Sequence, residues 1–259
     1  EELSRVIASG KDVAKAPTIE SAIQVSLDAL DDTTRDAVVR ASVFGLSVWD
    51  AGLSALGLSD ADTALRKLLA AELIVENARS RFAGTREFTF KHALVREVAY
   101  ASAGEDLKSM LHATAARWLA SMGEDAATVA QHFDLGKRHE DAASYWETAA
   151  RRALATNSLH EAVNMADRAL TFAVDKPTGF SRAMLLDDAH SRLDPRASER
   201  DSAIRAMSEN VFDEASELLT QGARARYDDA CASGLDIEAR LTQVRERART
   251  MRSEEHTSE

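Results

Sequence analysis

Apolar residues recur three and four positions apart along most of this chain, which is the spacing of one helical face. Ile19, Ile23, Leu27 and Leu30 predict a helix over 18–30 with those four inward. Asp31-Asp32-Thr33-Thr34 is a polar break made of good N-cap residues. Val38, Val39 and Val43 point inward from a helix over 35–44 that Gly45 ends. A short helix is expected over 48–56, stopped near Gly57, and Ser59 and Asp60 cap another running to Ala71, with Leu65, Leu68 and Leu69 buried. The period then changes. Leu73-Ile74-Val75 suits a strand, the polar stretch from Asn77 to Thr85 contains Gly84 as a turn or wing would, and Glu87-Phe88-Thr89-Phe90-Lys91 alternates as a second strand. His92 opens a helix through Tyr100.

Three helices, a strand, a turn and a strand over roughly 33–91 predict a winged-helix-like unit; with the helix that follows, the module runs 33–104. From Ala101 onward only helical pattern remains, with helices expected near 105–121, 125–135, 139–155, 158–173 and 179–193, then two or three more over 197–250. Connections this short join antiparallel helix hairpins. Three stretches share a turn residue followed by a helix rich in small side chains: Gly136 with Ala142-Ala143 and Ala149-Ala150; Asn157 with Ala162, Ala166 and Ala169-Leu170; Gly234 with Glu238-Ala239. These resemble the second half of a tetratricopeptide repeat, where small residues let paired helices nest. The fold class expected is mainly α, a winged-helix-like module followed by an α-α hairpin, tetratricopeptide-like superhelix over 105–251. An ordinary helical domain with alanine-rich packing is the alternative.

Composition agrees: 11 Gly and 3 Pro among 259 residues leave few helix breakers. The net charge of -11 argues against a general grip on nucleic acid or on an anionic membrane surface. No apolar run approaches the ~20 residues that span a bilayer, and the single Cys231 provides neither a disulfide nor a multi-cysteine zinc site. A cytoplasmic setting is expected. Both ends read as cuts. The chain starts at Glu1 inside an amphipathic pattern with Leu3, Val6 and Ile7 on one face, so 1–32 is taken as the end of an upstream helical region. The last eight residues, Arg252 to Glu259, resemble the translation of a sequencing-library adapter and are set apart from the fold.

Several stretches together carry a family resemblance: Pro17-Thr18-Ile19-Glu20, Leu27-Asp28-Ala29-Leu30, Ala41-Ser42-Val43-Phe44-Gly45 before Trp49, Ala71-Glu72-Leu73-Ile74, the run Phe88 to Tyr100, Leu111-His112 and Trp118-Leu119. The series resembles the region after the nucleotide-binding domain in bacterial STAND-class signalling ATPases, chains often fused to a serine/threonine kinase or a nucleotide cyclase and ending in tetratricopeptide repeats. The resemblance covers roughly 1–193, and the His92 segment is its most specific part. It implies a module that packs on a neighbouring ATPase domain and helps hold it closed around ADP, so ATP and ADP belong to the parent protein and no cofactor to this segment. It also implies that His92, at the strand-to-helix junction, contacts the bound phosphates, where a helix N-terminus adds free N–H groups. The flanks here are Lys91 and Ala93, where the better-known form has Met and Asp. A histidine that caps the helix and packs against Tyr100 or Trp49 is the other reading.

No catalytic centre is expected. Ser9-Gly10-Lys11-Asp12 lacks the upstream Gly and the Ser or Thr of a phosphate-binding loop. His112, His132, His139, His160 and His190 are scattered, none with acidic partners at metal-ligand spacing. Asp228, Asp229 and Asp236 near Cys231 disfavour a thiolate nucleophile, and the charged runs around Glu214 and Arg245 read as solvated helix faces. The function expected is regulation of an adjoining nucleotide-binding domain, with a protein or peptide partner on the helical repeats. The alternative is a winged-helix DNA-binding regulator that reads DNA with 60–71, through Arg66 and Lys67, and touches phosphates with Arg79, Arg81 and Arg86. The absence of a base-reading Asn or Gln in that helix weighs against it.

Overall fold

The computed structural model describes residues 19–231, 242–247 and 249. The Ser9-Gly10-Lys11-Asp12 fragment, the Gly234 repeat turn and the adapter-like tail lie outside the described residues. The chain is mainly helical with one small three-stranded sheet, and it divides into two compact units at Trp118/Leu119.

In the first unit, α1 (Ile19–Asp28) turns into α2 (Asp32–Val43) through Asp31, whose side chain accepts from the Thr34 N–H at 3.1 Å. Arg35 ties the turn by donating to the carbonyls of Leu27, Asp28 and Leu30. Leu27 is buried in the same core as Val38 and Leu65, so α1 shares the core of the module rather than belonging to a separate body. Ile19, expected inward, is 71 % exposed because it sits in the first turn of α1, ahead of the stretch that packs against the core.

Gly45, at φ +101°, lets the chain leave α2 and enter β1 (Ser47–Trp49). A helix was expected over 48–56; it spans only α3 (Asp50–Ala55), and its place up to Trp49 is taken by the strand. The reason is non-local: Ser47, Val48 and Trp49 pair antiparallel with Thr89, Phe88 and Glu87. After Gly57 (φ +88°) the chain forms α4 (Ala61–Ala70), capped by Asp60 on the Thr63 N–H at 3.0 Å. Glu72, at φ +55°, turns the chain into β2 (Ile74–Glu76), and the wing leads to β3 (Glu87–Phe90). The sheet order is β1-β3-β2, three strands where two were expected. Phe88 and Phe90 alternate into the core with Val48 and Ile74 opposite them. The chain continues through α5 (Ala93–Ser102) and α6 (Glu105–Ser121).

Over the front of this sheet lies an aromatic cluster. Trp49 is 2 % exposed. Its ring centroid lies 5.8 Å from Phe44, 4.9 Å from Phe82 and 5.5 Å from Trp118. Gly52 faces this cluster closely: an added Cβ would sit 2.9 Å from Phe44 Cζ and 3.2 Å from Trp118 Cζ3, so a side chain there would force the rings to shift.

In the second unit follow α7 (Ala126–Leu135), α8 (His139–Ala155), α9 (Leu159–Leu170), α10 (Lys176–Leu193), α11 (Glu199–Glu209) and α12 (Glu214–Ala230). The spans agree with the periodicity except that α10 starts earlier than 179, where Asp175 caps it on the Thr178 N–H at 2.8 Å and Pro177 occupies the first turn, which needs no N–H there. Non-glycine residues in left-handed backbone, Lys137 (φ +55°) and Asn157 (φ +60°), end α7 and α8 tightly. Each helix packs on the next in sequence, and α8 also meets α10. The contacts are alanine-rich: Ala142, Ala150, Ala162, Ala166, Ala183 and Ala189 are almost fully buried. Small side chains let the axes approach, which is how a sequence poor in aromatics still closes its core.

Candidate functional site

His92 is the residue that the sequence singles out, and the structure places it where expected, between β3 and α5. It is the N-cap of α5 with extended backbone, φ -136° and ψ 127°. The strand end before it is pinned, since the Lys91 N–H donates to the Leu73 carbonyl at 3.0 Å and its ammonium holds Glu72 at 2.7 Å. The hydrogen bond and charge of Lys91 lower the Glu72 carboxyl below its usual range. The helix after it is pinned too: Arg96 Nε donates to the Ser42 carbonyl at 3.1 Å, with its guanidinium over the Tyr100 ring. The backbone on both sides of His92 is therefore fixed while the imidazole is exposed.

His92 is the N-cap of α5 by position, not through its side chain. Its side chain makes no cap hydrogen bond. Tyr100 instead exchanges a hydrogen bond with His112 Nε2 at 2.8 Å, and Trp49 is enclosed by Phe44, Phe82 and Trp118. Next to the junction, α1 and α5 bound a groove of about 470 Å³ lined by Glu20, Gln24, Leu94, Glu97 and Val98 among others. Its charged residues are carboxylates, so it does not suit a phosphate. A phosphate at His92 would meet one imidazole and the first N–H groups of α5, with further donors coming from elsewhere.

The cations assigned to DNA contact are largely engaged. Arg86 bridges Asp50 and Asp62, with Nε at 3.0 Å from Asp50 Oδ2. Arg81 lies 5.2 Å from the Trp49 ring centroid and 5.0 Å from Phe82, and Lys67 holds Asp31 at 3.2 Å. The wing closes on Glu87, whose carboxylate accepts from the Arg81 N–H at 2.8 Å, Trp49 Nε1 at 3.2 Å and Asn77 Nδ2 at 3.1 Å. Burial pushes that carboxyl up, and the surrounding donors more than offset it, leaving the pKa lowered. Sequence reasoning missed this hub: a glutamate in an alternating strand signals only an outward position.

The remaining histidines do not converge. Among the described residues no group of His, Cys, Asp and Glu could hold a metal. His139 stacks on Phe172 at 4.5 Å between centroids, and Cys231 is exposed at the end of α12. His132 in α7 is buried, and burial lowers its pKa from 6.5 to about 4. The unfolded chain therefore takes up a proton at this site first as pH falls, and stability is lost between 6.5 and about 4. Acidification from about pH 7 to about pH 5 is expected to cost the second unit about 2 kcal/mol through this residue. Urea denaturation at both pH values checks it: His132→Asn should flatten the dependence, and an equal slope in the variant would exclude His132 as the source.

No family model, curated protein or solved structure matches the chain. No helix among the described residues is long and apolar enough to cross a membrane.

Proposed function

We propose that this chain is a regulatory and interaction segment of a STAND-type signalling ATPase. The first unit acts as a winged-helix module on a neighbouring nucleotide-binding domain, and the second binds a protein or peptide on tetratricopeptide-like repeats. The order helix, strand, two helices joined through Gly57, strand, wing and strand supports the winged-helix reading. The neighbour-to-neighbour packing of α7 to α12 supports a repeat array. The observation that carries the regulatory role is His92 itself: an exposed imidazole on a fixed backbone at a helix N-terminus. ATP and ADP are ligands of the parent in this reading, the segment works in the cytoplasm, and its own residues perform no chemistry. DNA binding ranks below it because Arg81 and Arg86 are committed within the fold.

The test uses the chain with its flanking coding sequence expressed in frame. His92→Ala is expected to weaken ADP binding about tenfold, the scale of one lost charge-assisted contact. Unchanged ADP affinity would remove the role of His92. A flanking frame without Gly-x-x-x-x-Gly-Lys-Ser/Thr would remove the ATPase reading as a whole.

A further inference from the structure

The second unit carries a groove of about 300 Å³ between α7, α8 and α9 that no role above uses in particular. Trp146 lines it, 3 % exposed, with Nε1 donating to Asp134 Oδ2 at 2.7 Å. The Arg168 guanidinium lies over this indole, 4.7 Å from the ring centroid. Stacking of this kind orients the planar fork and leaves its N–H groups able to donate at the edge.

Arg168 differs from the arginines around it. Arg138, Arg151, Arg152, Arg182 and Arg200 each hold a carboxylate. Arg168 has no ion pair among the described residues, in a chain where 43 acidic residues outnumber 32 basic ones. The sequence explains this: Asn164, Met165, Thr171 and Phe172 occupy the positions three and four residues away, and none is acidic. Glu161 lies two turns earlier on the same stripe of α9, about 10 Å along the axis at ~1.5 Å per residue, and it too has no ion pair among the described residues. Asn164 lies between the two charges, and Gln131 of α7 lines the same groove.

A chain in polyproline-II conformation rises about 9 Å in three residues and returns the third side chain to the same face. A carboxylate on it can take the Arg168 fork, a cation three residues away can take Glu161, and the carboxamides of Asn164 and Gln131 can bond the main chain between them. Glu161 also rejects a second carboxylate, which excludes a purely acidic run. We infer that this groove binds a peptide in polyproline-II conformation that carries one acidic and one basic side chain about three residues apart on one face. The inference rests on the reading of the helical unit as a partner-binding array.

The test is fluorescence polarisation of labelled, end-capped peptides against the chain, the acid and base set one to five residues apart, in both orders, on a Ser/Ala background. Affinity is expected to peak at a separation of about three residues in one order, the repeat of a polyproline-II chain. Arg168→Glu should weaken it about tenfold or more, with helical content unchanged by circular dichroism. The double variant Arg168→Glu with Glu161→Arg should recover the peptide of reversed order. Affinity that ignores spacing, or that Arg168→Glu leaves unmoved, overturns the inference while the unit remains a peptide binder. Absence of binding across the panel also overturns it. An unbiased displayed-peptide selection on the same chain then decides the wider reading: enriched peptides that tolerate Arg168→Glu keep it, and no enrichment removes it.

Discussion

Replacing Trp49 with alanine is expected to lower the unfolding free energy of the first unit by about 3–5 kcal/mol, the cost of deleting a large buried aromatic. Trp49 belongs to a strand by its backbone and to the aromatic cluster by its ring, so one deletion acts on both. The ring is 2 % exposed and touches Phe44, Phe82 and Trp118. Its Nε1 supplies one of the donors to Glu87, which closes the wing. Gly52, which faces Phe44 and Trp118, has no side chain with which to refill the cavity. Trp49→Phe keeps much of the apolar contact and loses the indole donor, so it should cost roughly a third as much. Urea denaturation followed by circular dichroism measures both. A Trp49→Ala loss below about 1 kcal/mol would mean that the cluster collapses readily around the deletion.

The second large effect concerns a charge in the other unit. Arg200 is 1 % exposed and Asp187 5 %. Arg200 Nε donates to Asp187 Oδ1 at 2.9 Å and Nη1 to the Pro195 carbonyl at 2.8 Å, while Nη2 is buried with no hydrogen-bond partner among the described residues. Asp187→Ala leaves a guanidinium in the core with the Pro195 carbonyl and the Tyr227 ring, 5.5 Å away, but no counter-charge, and a loss of about 3–5 kcal/mol is expected. The pair itself is a poor source of stability, since burying both ions opposes their attraction. The double change Asp187→Leu with Arg200→Met should therefore return to within about 1–2 kcal/mol of the parent. A double variant as unstable as the single one would show that packing around Pro195 and Tyr227, not charge, governs the site.

Periodicity was enough to read most helices because their ends are written locally. Asp31, Asp60 and Asp125 each accept from a backbone N–H two or three residues on, and such caps depend on a few consecutive residues. The alternation at Phe88 and Phe90 was legible for the same reason. β1 was not, because Val48, Trp49, Leu53 and Leu56 also fit a helical face, and only pairing with β3 makes Ser47–Trp49 a strand. The buried Arg182, Asp187 and Arg200 were equally hidden: a charged residue in a helix reads as solvated unless its partner is known, and Glu147 serves Arg182 from 35 positions away. At the candidate site, the position of His92 followed from the change of period, whereas the exposure of its side chain and its lack of a cap hydrogen bond are settled by tertiary structure. The commitments of Arg81 and Arg86 likewise belong to tertiary structure and leave no mark on the sequence.

The strand order β1-β3-β2 also sets a timetable. During synthesis β1 emerges before β3, its neighbour in the sheet, exists and must wait for α3, α4, β2 and the wing to follow before Trp49 can meet Glu87. In the second unit each helix finds its partner in the segment just made or the one made next. Contacts so close in sequence form quickly, while pairing across a long intervening segment is slow. The amino-terminal half thus leaves the ribosome with a solitary strand edge and unpaired aromatics, a surface open to wrong partners, and the carboxy-terminal half does not.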